Sequence, residues 1–398
     1  MAAGYTLMSA IKMMLPLPDQ SEVTGPVPNP APANATSMAG DRDKARPLLL
    51  YVLHSGKMYG TERMALVTCT GLAGDFDAVI LAPPGPVHAA AAAAGIASRS
   101  FANRSQLALT LRPLLRSDRP ITFACTSLTQ WAVCSMLNVW FRADIRHVHL
   151  VHGGATGIAA YGRKRLLNKA DVEFVTVSDW ARDQLTANGV PVSRITVIPN
   201  FLAPSRVDSA PRRGPFIQPG VRRIVTVSRL DRLKRGHLLP DALDSRDDLG
   251  ELQFKIVGGG PETDALRRRA ARRHPNVEFH GYCEDVPALL AESDLLLHLC
   301  PVESFGLVAL EAMAADLPVL VPDGGGTGLM VVEGESGFKF RPDDAPHLGQ
   351  RLAELRDADV ATLNRAVAGG RAALSTRFSA AAALEQYRRV FAGRECGS

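Results

Sequence analysis

Two glutamates separated by seven residues, Glu303 and Glu311, stand in the stretch LLLHLCPVESFGLVALEAMAA, from Leu295 to Ala315. It reads as a buried strand, a short turn and a helix that is apolar almost all round. An ionised carboxylate in such a helix is costly unless it is paired or hydrogen-bonded. Glu311 is the only charge of that helix before Asp316, so it either faces a polar ligand or meets a buried cation. Glu303 falls in the turn, at the carboxyl end of the strand. Ser304 is placed to cap the helix opening near Gly306. The N–H groups of Phe305, Gly306 and Leu307 then offer an anion site, reinforced by the helix dipole. The bland alternative is a cap plus a structural ion pair.

A second chemical stretch is VTVSRLDRLKRG, Val225 to Gly236. Arg229 follows a buried strand directly, and Lys234 lies five residues on. Two cations beyond one strand end suit a diphosphate, the arginine as a fork and the lysine as a point charge. Ordinary surface solvation is the competing reading. The run IVGGGPE (Ile256 to Glu262) puts Gly259 and its neighbours after another strand, where backbone can approach a ligand closely. It lacks the later glycine of a dinucleotide fingerprint, with Pro261 and Glu262 there instead. In the first half, Gly56 to Gly60 follow the first strand. His152 closes the run HVHLVH just before Gly153 and Gly154.

Strand ends of this kind require a particular scaffold. Leu48 to Leu53 is a continuous apolar run, as in a strand buried on both faces. Strand-like segments recur at 78–82, 121–125, 147–151 and 174–177, with helical patterns such as 61–72, 105–115 and 179–187 among them. Four prolines between Phe201 and Gly220 interrupt the rhythm. It resumes with strands at 223–227, 254–257, 277–279, 295–299 and 318–321. The fold class expected is therefore α/β: two doubly wound, Rossmann-like domains of parallel sheet, facing across a cleft. Ligands in such sheets bind beyond the carboxyl ends of the strands, where the residues above fall.

Of the 398 residues 46% are apolar and 21% charged, which excludes wholesale disorder and fibrous classes. The length admits two or three domains. Residues 1–46, rich in proline and alanine, read as a disordered leader; 47–200 form the first domain, 201–220 a linker, 221–375 the second domain, and 376–393 a terminal helical segment. No run of about 18 apolar residues occurs. Forty-five Lys+Arg against forty Asp+Glu leave a charge of +5, too little to argue for nucleic acid. Six scattered cysteines without a Cys-x-x-Cys motif fit reduced thiols in a cytoplasmic protein. No convincing signal peptide opens the chain.

Taken in order, these motifs resemble the retaining nucleotide-sugar glycosyltransferases of family 4, which have the GT-B architecture. The resemblance runs from about Leu48 to Phe391. It rests on ESFGLVALE, SRLDRLKRG, VGGGPE, VSDWARDQL, VIPN (197–200) and HSGKMYGTER. It implies that Glu303 lies near the donor sugar and supports the chemistry, with His152 contacting that sugar from the first domain. Glu311 would bond the nucleotide ribose. Arg229 and Lys234 would hold the diphosphate, and the loop at Gly60 would close over the donor. Gly259, Ser304, Phe305, Gly306 and Leu307 complete the implied donor-binding set. Helices around 380–391 would cross back to the first domain. No cofactor is implied beyond the nucleotide-sugar substrate, and no metal. The pairs Asp41/Asp43 and Asp357/Asp359 do not follow a first-domain strand.

The chain departs from the family pattern at three places. Ser228 replaces a glycine before Arg229; Leu329 stands where a glutamate is usual in Gly325-Gly326-Thr327-Gly328-Leu329; and Phe201 follows Asn200. The expected partners are a nucleotide-sugar donor, such as a UDP- or GDP-sugar, and a saccharide or lipid-linked acceptor in polysaccharide or glycolipid synthesis. YGRKRLLNKA (161–170), with Arg163, Lys164, Arg165 and Lys169, offers a basic, partly apolar helix for an anionic membrane surface. A solvated helix is the plain alternative, as for the arginines at 267–269, 272 and 273. A nucleotide-sugar hydrolase or epimerase of the same architecture is the rival activity. A non-catalytic nucleotide-sugar or nucleic-acid binding protein is the rival class.

Overall fold

The computed structural model describes residues 46–153, 159–283 and 285–393. The expected leader lies outside them except for Arg46, whose guanidinium pairs with Asp77 at 2.9 Å. Two sheets carry the fold. The first contains β1 (Leu48–Val52), β2 (Asp77–Ala82), β3 (Ala97–Ser100), β4 (Ile121–Cys125), β5 (Ile145–Val151), β6 (Glu173–Thr176) and β7 (Ile195–Val197), in the order 3-2-1-4-5-6-7. The second contains β8 (Arg223–Val227), β9 (Gln253–Val257), β10 (Val277–Gly281), β11 (Leu295–Leu297), β12 (Val319–Pro322) and β13 (Phe338–Phe340), in the order 10-9-8-11-12-13. Every pairing is parallel. Strand order therefore reverses between β1 and β4, and again between β8 and β11, opening a crevice at each reversal.

The central strands are buried because both faces are covered by helices: β1 reads LLLYV and every residue is inside. β3, β7 and β13 have no counterpart among the strands expected from the sequence. All three are edge strands. β3 (ASRS) and β7 (ITV) are largely exposed or half-buried, so neither offers the apolar run by which a central strand is recognised.

The helices that position the site are α1 (Gly60–Gly71), α2 (Asp179–Ala187), α3 (Pro204–Ser209), α4 (Leu307–Ala314), α5 (Gly325–Met330) and α6 (Ala380–Ala392). The proline-rich stretch at 201–220 is not a loose tether. It contains α3, and its Phe201 and Phe216 are buried in the cores of the first and second domains respectively. Chain-terminal α6 packs in the first domain, where Ala383, Tyr387, Val390 and Phe391 join the core around β1. Thr122 Oγ1 donates to the Phe391 carbonyl at 2.7 Å, and Phe76 meets the Phe391 ring edge-on.

Candidate active site

Loops at the carboxyl ends of strands in both sheets build the site. After β8, Asp231 accepts hydrogen bonds from the N–H groups of Leu233 (3.0 Å) and Lys234 (3.2 Å), winding residues 232–234 into a single 3-10 turn. The same carboxylate holds Arg229, whose Nε donates at 2.6 Å. This turn brings the Lys234 ammonium onto the Glu303 carboxylate, which arrives from the loop after the adjacent strand β11. Burial by itself would push the Glu303 carboxyl up; Lys234, and His298 beside it, outweigh that and hold it below its usual range. Burial pulls Lys234 the other way, yet Glu303 leaves it above its ordinary value. The pair is charged at neutral pH.

The loop from Pro301 to Gly306 is fixed from behind. Gly326 N–H donates to the Glu303 carbonyl at 2.7 Å, and Thr327 Oγ1 to the Phe305 carbonyl at 2.9 Å. Gly306 has a φ of 88°, in the left-handed region that glycine alone enters cheaply, and there the chain turns into α4. Ser304 does not cap that helix, contrary to the expectation from the sequence. Its hydroxyl points to the first domain and meets the Tyr161 hydroxyl at 2.9 Å, and Ser178 Oγ donates to its carbonyl at 2.6 Å. Gly306, two residues after Ser304, is the N-cap of α4, and no side-chain hydrogen bond caps the first N–H groups of the helix, which begins at Leu307.

From the first domain, His152 follows β5, and its Nε2 lies 3.3 Å from the Tyr51 hydroxyl. Burial lowers its pKa to about 4, with His54 adding to the shift, so the ring is neutral at pH 7. Gly60 begins α1. A Cβ there would stand 3.1 Å from Leu307 Cδ1, so this residue touches the second domain. Glu62 folds back to accept from the Tyr59 N–H at 3.1 Å and sets the approach of that loop.

Two adjoining cavities result, of about 290 and 300 Å³. Thr61, His152, Arg229, Lys234 and Glu303 line both. One also holds Gly60, His298, Phe305, Gly306 and Leu307; the other runs to His54, Tyr59, Tyr161 and Trp180. Glu311 lines neither. It faces a separate cavity of about 390 Å³ with Leu202, Arg206 and Asp285, and accepts from Arg63 Nη1 at 3.1 Å. Burial raises its carboxyl pKa even though Arg63 and Arg206 oppose the shift. Glu311 therefore meets cations, as one of the alternatives left open by the sequence has it, but Arg63 and Arg206 are themselves partly exposed, not buried.

Several glycines serve packing instead of ligand approach. A Cβ at Gly56 would collide with the Pro83 carbonyl at 2.2 Å, and those at Gly258 and Gly260 with the carbonyls of Ser228 and Leu230. Gly259 is exposed and outside both cavities. The 161–170 stretch winds mostly as a 3-10 helix, not an α-helix. It turns Leu167 inward and leaves Leu166 half exposed. Asp357 pairs with Arg356 and Asp359 caps the helix after it, while Asp41 and Asp43 lie outside the described residues. Of the arginine run, Arg269 pairs with Asp241 and Asp244. Tyr59, Arg63, Tyr161, Ser178, Trp180 and Arg206 were not singled out by type and spacing. Only Trp180, an aromatic directly after a strand-end Ser-Asp, gave a usable signal.

Two Rossmann-like domains with strand-end loops meeting at a charged cleft define the GT-B architecture. The descriptions "Glycosyltransferase Family 4" and "Glycosyl transferases group 1" match residues 58–206 and 211–371 respectively. The chain belongs to glycosyltransferase family 4. It is 29% identical over 245 residues to a phosphatidyl-myo-inositol mannosyltransferase of Mycobacterium tuberculosis, covering 58% of this chain and 62% of that protein. It is 30% identical over 245 residues to a D-inositol 3-phosphate glycosyltransferase of Nocardia farcinica, covering 57% and 54%. The match thus spans less than two thirds of either relative. Anabaena HepE, solved in complex with UDP, shares the fold with a TM-score of 0.71 at 19% identity, covering 87% of this chain and all of that one.

Proposed function

We propose that the protein transfers a sugar from a nucleoside-diphosphate sugar to a saccharide or lipid-linked acceptor, with retention at the anomeric carbon and without a metal. One observation carries the reading: the Lys234–Glu303 pair, with Arg229 and His152, stands where two cavities meet at the strand reversals. Arg229, Lys234 and the first N–H groups of α4 take the diphosphate. When the bond from the anomeric carbon to the phosphate oxygen breaks, negative charge gathers on that oxygen. These groups stabilise it, each such donor being worth roughly 3 kcal/mol in the transition state. Positive charge develops on the anomeric carbon, beside the Glu303 carboxylate.

The acceptor hydroxyl bonds to that carbon on the face the phosphate leaves. Its proton passes to the departing phosphate oxygen, giving a glycoside and a nucleoside diphosphate. Neutral His152 bonds a sugar hydroxyl, Gly60 lets the first domain close over the donor, and Glu311 receives the ribose once Arg63 yields. Closure excludes water and so limits hydrolysis. Lipid-type and inositol acceptors named for the relatives support a role in glycolipid or polysaccharide synthesis. Among the described residues no helix is long and apolar enough to cross a membrane. The reading is of a cytoplasmic enzyme, peripheral on the membrane where its acceptor is lipid-linked.

Thermal unfolding with UDP-, GDP- and ADP-sugars tests the donor. A ligand of the native state at a hundred times its Kd adds about 2.7 kcal/mol. A rise in Tm with one base, and a glycoside formed only when acceptor is added, is the expected result. Absence of any nucleotide-dependent shift would refute the reading.

A further inference from the structure

Helix α4 runs past two cavities. Leu307, in its first turn, lines the cavity of about 300 Å³ that holds Arg229 and Lys234. Glu311, a turn further on, lines the separate cavity of about 390 Å³. Four helical residues place the two ~6 Å apart along the axis. Helix α1 of the first domain lies against the same stretch. A Cβ at Gly60 would stand 3.1 Å from Leu307 Cδ1, and Arg63 reaches Glu311 at 3.1 Å. The two helices therefore run in the same direction, first turn against first turn.

The pairing at Glu311 is unequal. Among the described residues Glu311 is the only carboxylate paired with Arg63, whereas Glu311 also has Arg206, on α3, at 3.8 Å. A ribose hydroxyl that takes Glu311 thus frees Arg63 without stripping the carboxylate of positive charge. The freed guanidinium has a direction built in. Side chains on a helix lean toward its N-terminus, which on α1 is toward Gly60, and so toward Leu307 and the uncapped N–H groups of α4.

We propose that Arg63 is a carboxylate-to-phosphate switch: as the donor binds, it passes from Glu311 to the diphosphate and adds a first-domain cation to Arg229 and Lys234 of the second domain. The assignment rests on the glycosyltransferase reading above and goes beyond it in giving the diphosphate a charged partner on the first domain. The diphosphate carries more charge than the carboxylate and offers the guanidinium a fork of two bonds, while Arg206 stays beside Glu311. Because Arg63 belongs to α1, the phosphates then draw the two domains together, and a nucleoside without phosphate does not.

The test separates the phosphates' share of the affinity from that of the nucleoside. For the base that raises Tm, the Kd values of the nucleoside and of its diphosphate are measured by displacement of a fluorescent nucleotide analogue. Their ratio is the gain due to the diphosphate. In Arg63→Ala that gain should shrink about tenfold, with nucleoside affinity unchanged or higher because a competitor for Glu311 is gone. Arg63→Lys should recover part of it, since an ammonium keeps the charge but not the fork. Glu311→Gln, which releases Arg63 from its carboxylate, should weaken the nucleoside and keep the gain; it decides the matter should the alanine variant not fold. A gain near its wild-type value in Arg63→Ala, or one lost in Glu311→Gln, would overturn the switch while nucleotide binding persists. Failure of every nucleotide to bind the wild-type protein would strike the glycosyltransferase reading instead.

Discussion

Arg63, on the first-domain helix α1, donates a 3.1 Å hydrogen bond to Glu311, on the second-domain helix α4. Arg206 of α3 lies 3.8 Å from the same oxygen. The carboxylate is satisfied by these two cations, so under the proposed ribose role of Glu311 a donor competes with Arg63 for it. Glu311→Ala removes a charged hydrogen-bond acceptor, worth about 1.5–3 kcal/mol. Nucleoside diphosphate affinity measured by calorimetry should fall at least tenfold; an unchanged affinity would place the ribose elsewhere.

Lys234→Ala leaves Glu303 buried without its principal counter-charge. Turnover with the preferred donor should drop about 10²–10³-fold, as when one transition-state donor is lost. Denaturant unfolding should show a lower midpoint in the same variant, and Lys234→Arg should recover part of the stability. Near-wild-type turnover in the alanine variant would remove Lys234 from the site.

Gly326→Ala tests the support behind the loop that carries Glu303. A Cβ there would sit 1.9 Å from the Ser304 carbonyl, and that backbone must move. Over-packing of this kind costs about 1–3 kcal/mol. Because the same loop carries Glu303 and leads into α4, nucleotide binding should weaken together with Tm. A variant that keeps both would show the loop to be compliant.

Stability should fall on the acid side of neutrality. His298 is 5% exposed and burial holds its pKa at about 4. Its folded value is depressed, so between pH 6.5 and about 4 the unfolded chain binds the extra proton. Stability is therefore lost as pH falls through that window, by on the order of 3 kcal/mol. His147 and His152, also lowered to about 4, add in the same direction. Glu311, whose pKa is raised, acts oppositely, stabilising the fold as it protonates. Urea midpoints from pH 7 to 4.5 should show a shallower decline in His298→Gln than in wild type.

Tyr387 on α6 is fully buried against the first domain, its ring 5.5 Å from that of Phe391 on the same helix and tilted 43° to it. Tyr387→Ala should cost about 3–5 kcal/mol, read as a lower Tm. The anchored helix joins the two domains, so a variant with unaltered Tm would mean that α6 contributes little to the first domain.

The central strands were legible because burial on both faces leaves a continuous apolar run, as in Leu48–Val52. The site loops were legible because charged residues interrupt such runs at their ends: Arg229 after β8 and Glu303 after β11. The edge strands Ala97–Ser100 and Ile195–Val197 carry no such run, and nothing in their sequence marks them as strands. Ser304 looked like a helix cap by position, yet the left-handed turn at Gly306 sends its hydroxyl to Tyr161, 143 residues earlier. Nothing local in the chain encodes that partner.

Residue type and order alone determined the two-sheet α/β plan and the groups able to meet a diphosphate, because periodicity and strand-end position are local properties. Tertiary structure decided which charges neutralise one another. It set Lys234 on Glu303 and Arg63 on Glu311 and brought Trp180 to the same cleft. Those pairings depend on how strands far apart in the chain lie side by side, and Coulomb attraction and desolvation act through that distance in space, not through separation in sequence.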